Sequence, residues 1–282
     1  MTELLTGVPV ASSLTEKLIP RAEFLKQHGI VPCLAILRVG SRADDMAYER
    51  GAIKRCEKVG IAVRLFTLPP DVSQDILMET IEEINADPSI HGCLMFRPLP
   101  KMLDENTACD ALDPKKDIDG ITIGSMGKVY SGAGEGHAPC TAQSCMELLQ
   151  FYGIDPSGKR ATVIGRSLVT GRPIAMLLTA ADATVTLCHT KTRNLPKIVR
   201  DADLVVIATG NAELFDSEYF RPGQIVLDVG INWSEEKQKL VGDVDFDTVS
   251  KIVSAISPVP AGIGSVTTAV LCKHVIEAAE NA

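Results

Sequence analysis

The chain has 282 residues, 45% of them apolar, with 28 basic against 36 acidic side chains and a formal net charge of −8. That length is a soft sign of about two domains, and the apolar share is ample for packed cores. The acidic balance argues against a general nucleic-acid binder or a protein of anionic membrane surfaces. No apolar run approaches the roughly 18 residues of a spanning helix. The N-terminus lacks the basic flank and long apolar core of a secretion signal. The eight cysteines contain no C-x-x-C pair, so the expectation is a reduced, cytoplasmic protein. The five histidines do not cluster with cysteines at ligand spacing, so no metal site is expected.

In chain order, residues 34–39 read as a strand and 43–60 as a helix ending at Gly60. Residues 62–68 read as a second strand. A helix over 73–86 follows, with Ile76, Leu77, Ile81 and Ile84 at helical spacing. A third strand over 92–96 is stopped by Arg97, Pro98 and Pro100. This alternation predicts a parallel sheet with right-handed crossovers. Residues 113–140 are rich in Gly, Asp and Pro and read as long functional loops at a domain junction. A helix near 141–153 leads into the second lobe. A last helix over about 266–280 returns to the first. The expected fold is α/β, with two α/β lobes, the C-terminal one a Rossmann-type doubly wound parallel sheet. The expected domains are 1–140 with 266–282, and 141–265.

Residues 162–192 carry the strongest local signal. A β-branched run enters a turn at Gly165, a helix opens at Gly171-Arg172-Pro173, and a second run over 184–189 follows. Pro173 suits a first helical turn. The unit reads as the first βαβ of a dinucleotide site, with the pyrophosphate over the helix N-terminus. Gly165, Ser167 and Gly171 depart from G-x-G-x-x-G, so an ordinary strand-to-helix turn competes with this reading. An NAD site calls for an acid at the end of the second strand, about 20 residues past the first glycine. None stands there, and Asp182 precedes the strand as a turn residue. Arg166, Thr190, Lys191 and Arg193 favour a 2′-phosphate and hence NADP over NAD. Apolar runs over 204–210 and 224–232 both meet a glycine, Gly210 and Gly230, where backbone can approach a ligand.

The first lobe offers Tyr48, the run from Phe96 through Pro98 and Leu99 to Pro100, and Asp117 and Asp119 around Gly120. The plain alternatives are a core aromatic and two turn-capping aspartates. Pro258, Pro260, Gly262 and Gly264 form a stiff loop suited to a ligand.

Together these motifs, in this order, resemble the methylenetetrahydrofolate dehydrogenase/cyclohydrolase family over nearly the whole chain. Its marks here are Val39-Gly40 before Tyr48, Arg97-Pro-Leu-Pro100, Lys116-Asp-Ile-Asp-Gly120 and Pro139-Cys-Thr141. The dinucleotide loop, Asp228-Val-Gly-Ile-Asn232, Gly242-Asp-Val244 and Pro258-Val-Pro260 complete the set. The resemblance implies a folate cleft between the lobes, NADP on the C-terminal lobe, and a homodimer formed through that lobe. It implies that Tyr48 stacks on the pterin and that Asp119 binds its amino edge, making these two the catalytic-site pair. Pro98, Leu99, Pro260 and Gly262 line the substrate by the same resemblance. The cofactor set it implies is Thr141, Gly165, Arg166, Ser167, Gly171, Arg172, Pro173, His189, Thr190, Thr209, Gly210, Gly230, Ile231, Gly264 and Thr268.

The chain also departs from the family. The catalytic lysine, four residues after the tyrosine, is Ala52, and the glutamine that partners it is Phe96. Asp45 replaces a serine. Ala261, Ser265 and Val266 stand where Gly, Pro and Met are usual. Hydride transfer mainly needs both partners held face to face, whereas opening the methenyl ring with water needs a positioned proton carrier. The expectation is therefore an NADP-dependent oxidation of methylene- to methenyltetrahydrofolate, with weak or absent cyclohydrolase activity. One alternative keeps both activities, with Lys54, Arg55 or Asp45 supplying the missing group. Others are a non-catalytic folate- or NADP-binding protein, and a shikimate-type dehydrogenase.

Overall fold

A computed structural model describes residues 2–282 of the chain. In chain order the strands and helices begin with β1 (Glu3–Leu4), α1 (Gly7–Gln27), β2 (Cys33–Val39), α2 (Ala43–Val59), β3 (Ala62–Leu68) and α3 (Gln74–Ala86). There follow β4 (Gly92–Met95), α4 (Glu105–Ala111), α5 (Ile123–Ser131), α6 (Cys140–Phe151), β5 (Arg160–Ile164), α7 (Gly171–Ala180) and β6 (Thr184–Cys188). The last are α8 (Leu195–Asp201), β7 (Leu204–Ile207), β8 (Ile225–Asp228), β9 (Asn232–Ser234), β10 (Lys239–Val241), α9 (Phe246–Val249), β11 (Ala255–Ile256) and α10 (Thr267–Glu280). The chain divides into two compact units. One holds Ser12–Cys140 with Thr268–Ala282, the other the residues up to Ala11 with Thr141–Thr267.

The first unit carries a parallel sheet in the order β3-β2-β4. The central strand β2 is buried along its whole length, as expected of a strand covered on both faces. Leu37, Leu77, Ile81, Ile84 and Met95 are among the buried residues of its core. Helix α2 ends at Gly60, whose φ of 91° is the left-handed conformation a helix terminus favours in glycine. Ser73 caps α3 by accepting the Ile76 N–H. Residues 113–140, expected to be loop throughout, contain the helix α5. Thr122 caps it through the Ser125 amide at 3.0 Å. Gly124 and Gly127 weaken its intrinsic preference and hide the apolar period, so the cap and packing decide the helix.

The second unit is built on a six-stranded sheet, β1-β11-β8-β7-β5-β6, parallel at every pairing. The order reverses beside β5, which lies between β6 and β7. In a doubly wound sheet that switch opens the ligand crevice outside the strand carboxyl ends. Residues up to Ala11 belong here, although the sequence reading set them in the first lobe. Strand β1 pairs with β11, and Gly7 N–H donates to the Ala261 carbonyl at 2.7 Å. A side chain at Gly7 would strike the Gly262 carbonyl, so only glycine fits there. The run expected as a strand over 224–232 pairs in this sheet only from Ile225 to Asp228. It then turns, and Asn232–Ser234 pairs antiparallel with β10. No helix among the described residues is long and apolar enough to cross a membrane. All eight cysteines are free and buried.

Candidate functional site

In the first unit the site residues gather where β2 and β4 end. Strand β4 also carries the next segment: Cys93 N–H donates to the Lys116 carbonyl at 2.7 Å, and Asp117 bridges Cys93 in parallel. That register brings residues 117–119 alongside the strand leading to Phe96. Asp117 is fully buried and accepts from the amides of Ile121 and Thr122, at 3.1 and 2.8 Å. It holds the turn, as the plain reading had it. Asp119 accepts from Cys140 N–H at 3.0 Å. Burial pushes the Asp119 carboxyl above its ordinary value, and the Cys140 amide opposes that shift. Lys116 donates to the carbonyls of Ile84, Asn85 and Asp87, fastening the end of α3.

Tyr48 lies half-buried on α2, and its ring meets Phe96. Ala52, one turn further along, is wholly buried. Neither side chain at 52 or 96 can exchange a proton. The three residues named as alternatives differ in their surroundings. Lys54 is exposed. Arg55 donates to Thr15 Oγ1 at 3.0 Å. Asp45 is buried and grips Arg42 through two bonds of 2.8 and 2.6 Å. Arg42 in turn donates to the carbonyls of Arg97 (2.9 Å) and Pro98 (3.3 Å), while Glu105 accepts the Leu99 amide at 2.7 Å. The Arg97-Pro-Leu-Pro loop is thus clamped from both sides, and its Arg97–Pro98 bond is cis. A buried ion pair, Arg38–Glu49 at 2.9 Å, reaches the residue next to Tyr48 and is absent from the sequence expectations. Its signal was a charged residue inside the apolar run of β2.

In the second unit Gly165 and Arg166 follow β5, and His189 and Thr190 follow the neighbouring β6, with Gly165 N–H bonded to the Cys188 carbonyl. A side chain at Gly165 would strike the Ala208 carbonyl after β7, so backbone closes tightly at the switch point. Gly171 abuts Gly165 in the same way. Ser167 Oγ accepts from the Thr170 and Gly171 amides, at 3.1 and 3.4 Å. The loop therefore caps α7 itself. Arg166, Arg172, Thr190, Lys191 and Arg193 are exposed. Pro173 is buried in the first turn of α7. Asp182 has a φ of 61° and precedes β6, at the strand end away from this loop.

Two buried aspartates organise the neighbouring loops. Asp243, fully buried, accepts from the amides of Thr209, Gly210 and Asn211, from Thr209 Oγ1 and from Asn232 Nδ2. Asp228 accepts from the amides of Gly230, Asp243 and Val244. Burial raises the Asp228 carboxyl to about 7 against the pull of those amides. A side chain at Gly230 would meet the Asp243 carboxylate, so only glycine fits there. Pro258, Pro260, Gly262, Gly264 and Ile231 line a small cavity of about 160 Å³ that reaches Asp228 and Gly230. Ala261 there sits at φ 77°, a left-handed conformation that suits glycine better. Thr141 lies in the first turn of α6 and Thr268 in that of α10.

Residues 5–119 match the model of the tetrahydrofolate dehydrogenase/cyclohydrolase catalytic domain, and residues 139–282 that of the family's NAD(P)-binding domain. The bifunctional protein FolD of Carboxydothermus hydrogenoformans is 50% identical over 99% of this chain and 98% of its own. The bifunctional FolD methylenetetrahydrofolate dehydrogenase/cyclohydrolase of Campylobacter jejuni superposes with a TM-score of 0.96 at 39% identity, covering 100% of this chain and 99% of its own. The Trypanosoma brucei FolD enzyme, solved with NADP and an inhibitor, gives a TM-score of 0.92 at 32% identity over 99% and 98%. The resemblance read from the motifs therefore holds, and the chain belongs to the tetrahydrofolate dehydrogenase/cyclohydrolase family.

Proposed function

We propose that the chain oxidises 5,10-methylenetetrahydrofolate to the methenyl form with NADP, and that its cyclohydrolase activity is weak or absent. The observation that carries the second half is that position 52 is a buried Ala and that the ring meeting Tyr48 is Phe96. Ring opening by water needs a group that moves protons, typically worth about 10²–10⁴-fold in rate. Of the side chains nearest in sequence, Arg55 donates to Thr15, Asp45 is held by Arg42, and Lys54 is exposed, which supports this reading.

The oxidation asks less of side-chain chemistry. NADP, when bound, accepts the hydride, and the protein's work is to hold donor and acceptor together. Tyr48 offers a flat face to the pterin. Asp119 accepts from the amino-pyrimidine edge. The clamped loop at Pro98 and Leu99 fixes one wall. The cofactor fits the second unit by its donor set. Arg166, Arg172, Thr190, Lys191 and Arg193 offer positive charge and hydroxyl donors for a 2′-phosphate, and no acid follows β6 to hold a free ribose hydroxyl. Thr209, Gly210, Gly264 and Thr268 complete the proposed cofactor set, with Pro260 and Gly262 on the folate. We assign the protein to the cytoplasm and to a homodimer as part of the same reading.

The bifunctional reading has its own support, because the relatives at 44–50% identity are called bifunctional. Purified protein given methenyltetrahydrofolate alone separates the two. Hydrolysis at the buffer rate, beside brisk reduction of NADP with the methylene substrate, supports the proposal. Rapid hydrolysis returns the chain to the bifunctional class.

A further inference from the structure

His137, His274 and Glu277 converge in the unit built on β2, β3 and β4. His137 lies in the loop before Pro139, and His274 and Glu277 stand three apart on one face of α10. One ligand atom from each lies within 4.8 Å of the other two, and among the described residues this is the one such group of three. The two imidazoles overlap, with centroids 4.5 Å apart and planes at 21°. Glu277 Oε2 is 3.8 Å from His137 Nδ1. We propose that these three side chains form a divalent transition-metal site, with Zn²⁺ the ion that best suits two imidazoles and a carboxylate.

The hydrogen bonding fixes which nitrogen is free to ligate. His274 Nδ1 stands 2.8 Å from the Ile118 carbonyl oxygen. A carbonyl only accepts, so Nδ1 carries the proton and the neutral ring keeps its lone pair on Nε2. A backbone acceptor behind a ligating histidine is the usual outer-shell support of a metal site. Glu277 supplies the negative charge.

Geometry and access agree with this assignment. Ligands on tetrahedral zinc, with bonds near 2.0–2.2 Å, stand roughly 3.3–3.6 Å apart. Modest side-chain rotation therefore closes the group from its present 4.8 Å limit. A cavity of about 700 Å³, lined by His91, Lys116 and Lys128 as well as His137, opens onto the His137 side of the group and gives water an approach. Two cations oppose the ion. Lys128 is turned onto the Gly136 carbonyl at 2.7 Å, and Lys273 lies 3.8 Å from Glu277 Oε1. Metal binding has to draw Glu277 away from Lys273, so the site is a moderate binder rather than a structural one. Cys140, 3.8 Å from His274 Nδ1, faces the proton-bearing side of the ring and is not counted among the ligands.

Titration of the metal-free full-length protein with Co²⁺, followed by visible spectroscopy and calorimetry, tests the site. The expected result is one Co²⁺ per chain, with d–d bands of a low-coordinate nitrogen and oxygen site, displaced by Zn²⁺. His137→Ala and Glu277→Gln, both at partly exposed positions, should each weaken binding at least tenfold. The melting temperature of the metal-free protein should stay within a degree or two. No saturable binding, affinity unchanged in either variant, or a thiolate charge-transfer band each overturns the proposal.

Discussion

The Tyr48 and Phe96 rings meet edge to face, their centroids 6.1 Å apart and their planes at 85°. Such a pair contributes about 0.5–1.5 kcal/mol beyond its area. By the motif resemblance, Phe96 also stands where the family has a polar partner for its lysine. Replacing Ala52 by Lys and Phe96 by Gln together should raise methenyltetrahydrofolate hydrolysis by about tenfold or more over the parent protein. Ala52→Lys alone should gain less, because the ammonium then faces a phenyl ring. The decay of methenyl absorbance measures both. A double variant no faster than the parent would show that the helix register differs from the family's.

Arg166 should read the 2′-phosphate. Hydrogen bonds to a charged group contribute roughly 1.5–3 kcal/mol. Arg166→Ala should therefore raise KM for NADP at least about tenfold while changing that for NAD little. Equal losses with the two cofactors would remove Arg166 from that role.

Asp119 carries a carboxyl shifted upward by burial. The amino-pyrimidine edge donates, so binding favours the ionised form. As pH falls through the raised pKa, the carboxyl protonates and affinity for folate drops. KM for the folate should thus climb on mild acidification, starting above the ordinary aspartate range. Asp119→Asn should flatten that profile and raise KM at neutral pH. A parent profile that is already flat contradicts the assignment.

Arg42 holds the carbonyls of Arg97 and Pro98, and Asp45 holds Arg42. Partly exposed pairs of this kind contribute about 0–1 kcal/mol to stability. Arg42→Ala should leave the melting temperature nearly unchanged but raise KM for folate several-fold, with kcat affected less. A variant with unaltered steady-state kinetics would show that the loop holds itself.

Asp243 satisfies backbone and side-chain donors from two segments, the loop after β7 and the start of β9. Asp243→Ala leaves several part-buried N–H groups without their acceptor, each net hydrogen bond contributing about 0.5–1.5 kcal/mol, more to a charged acceptor. The variant should unfold at markedly lower temperature and lose NADP affinity, with urea denaturation reporting a loss of several kcal/mol. Stability equal to the parent's would mean that water replaces the carboxylate.

The sequence by itself determined much of this protein. Short apolar runs bounded by turns marked β2, β4 and β5, and helical spacing marked α3, because burial writes itself into local composition and spacing. Ordered motifs identified the family, and residue identity alone exposed Ala52 and Phe96. Tertiary structure decided what depends on contacts between distant positions. It put β1 in the second unit, since a two-residue strand has no period to read and gains its pairing only from β11. It set the Asp243 carboxylate against Gly230, where a side chain would not fit. It fixed Asp45 on Arg42, and it joined His137 to His274 and Glu277 across most of the chain's second half. Local spacing records which face of an element is buried; it does not record which distant side chain arrives to meet it.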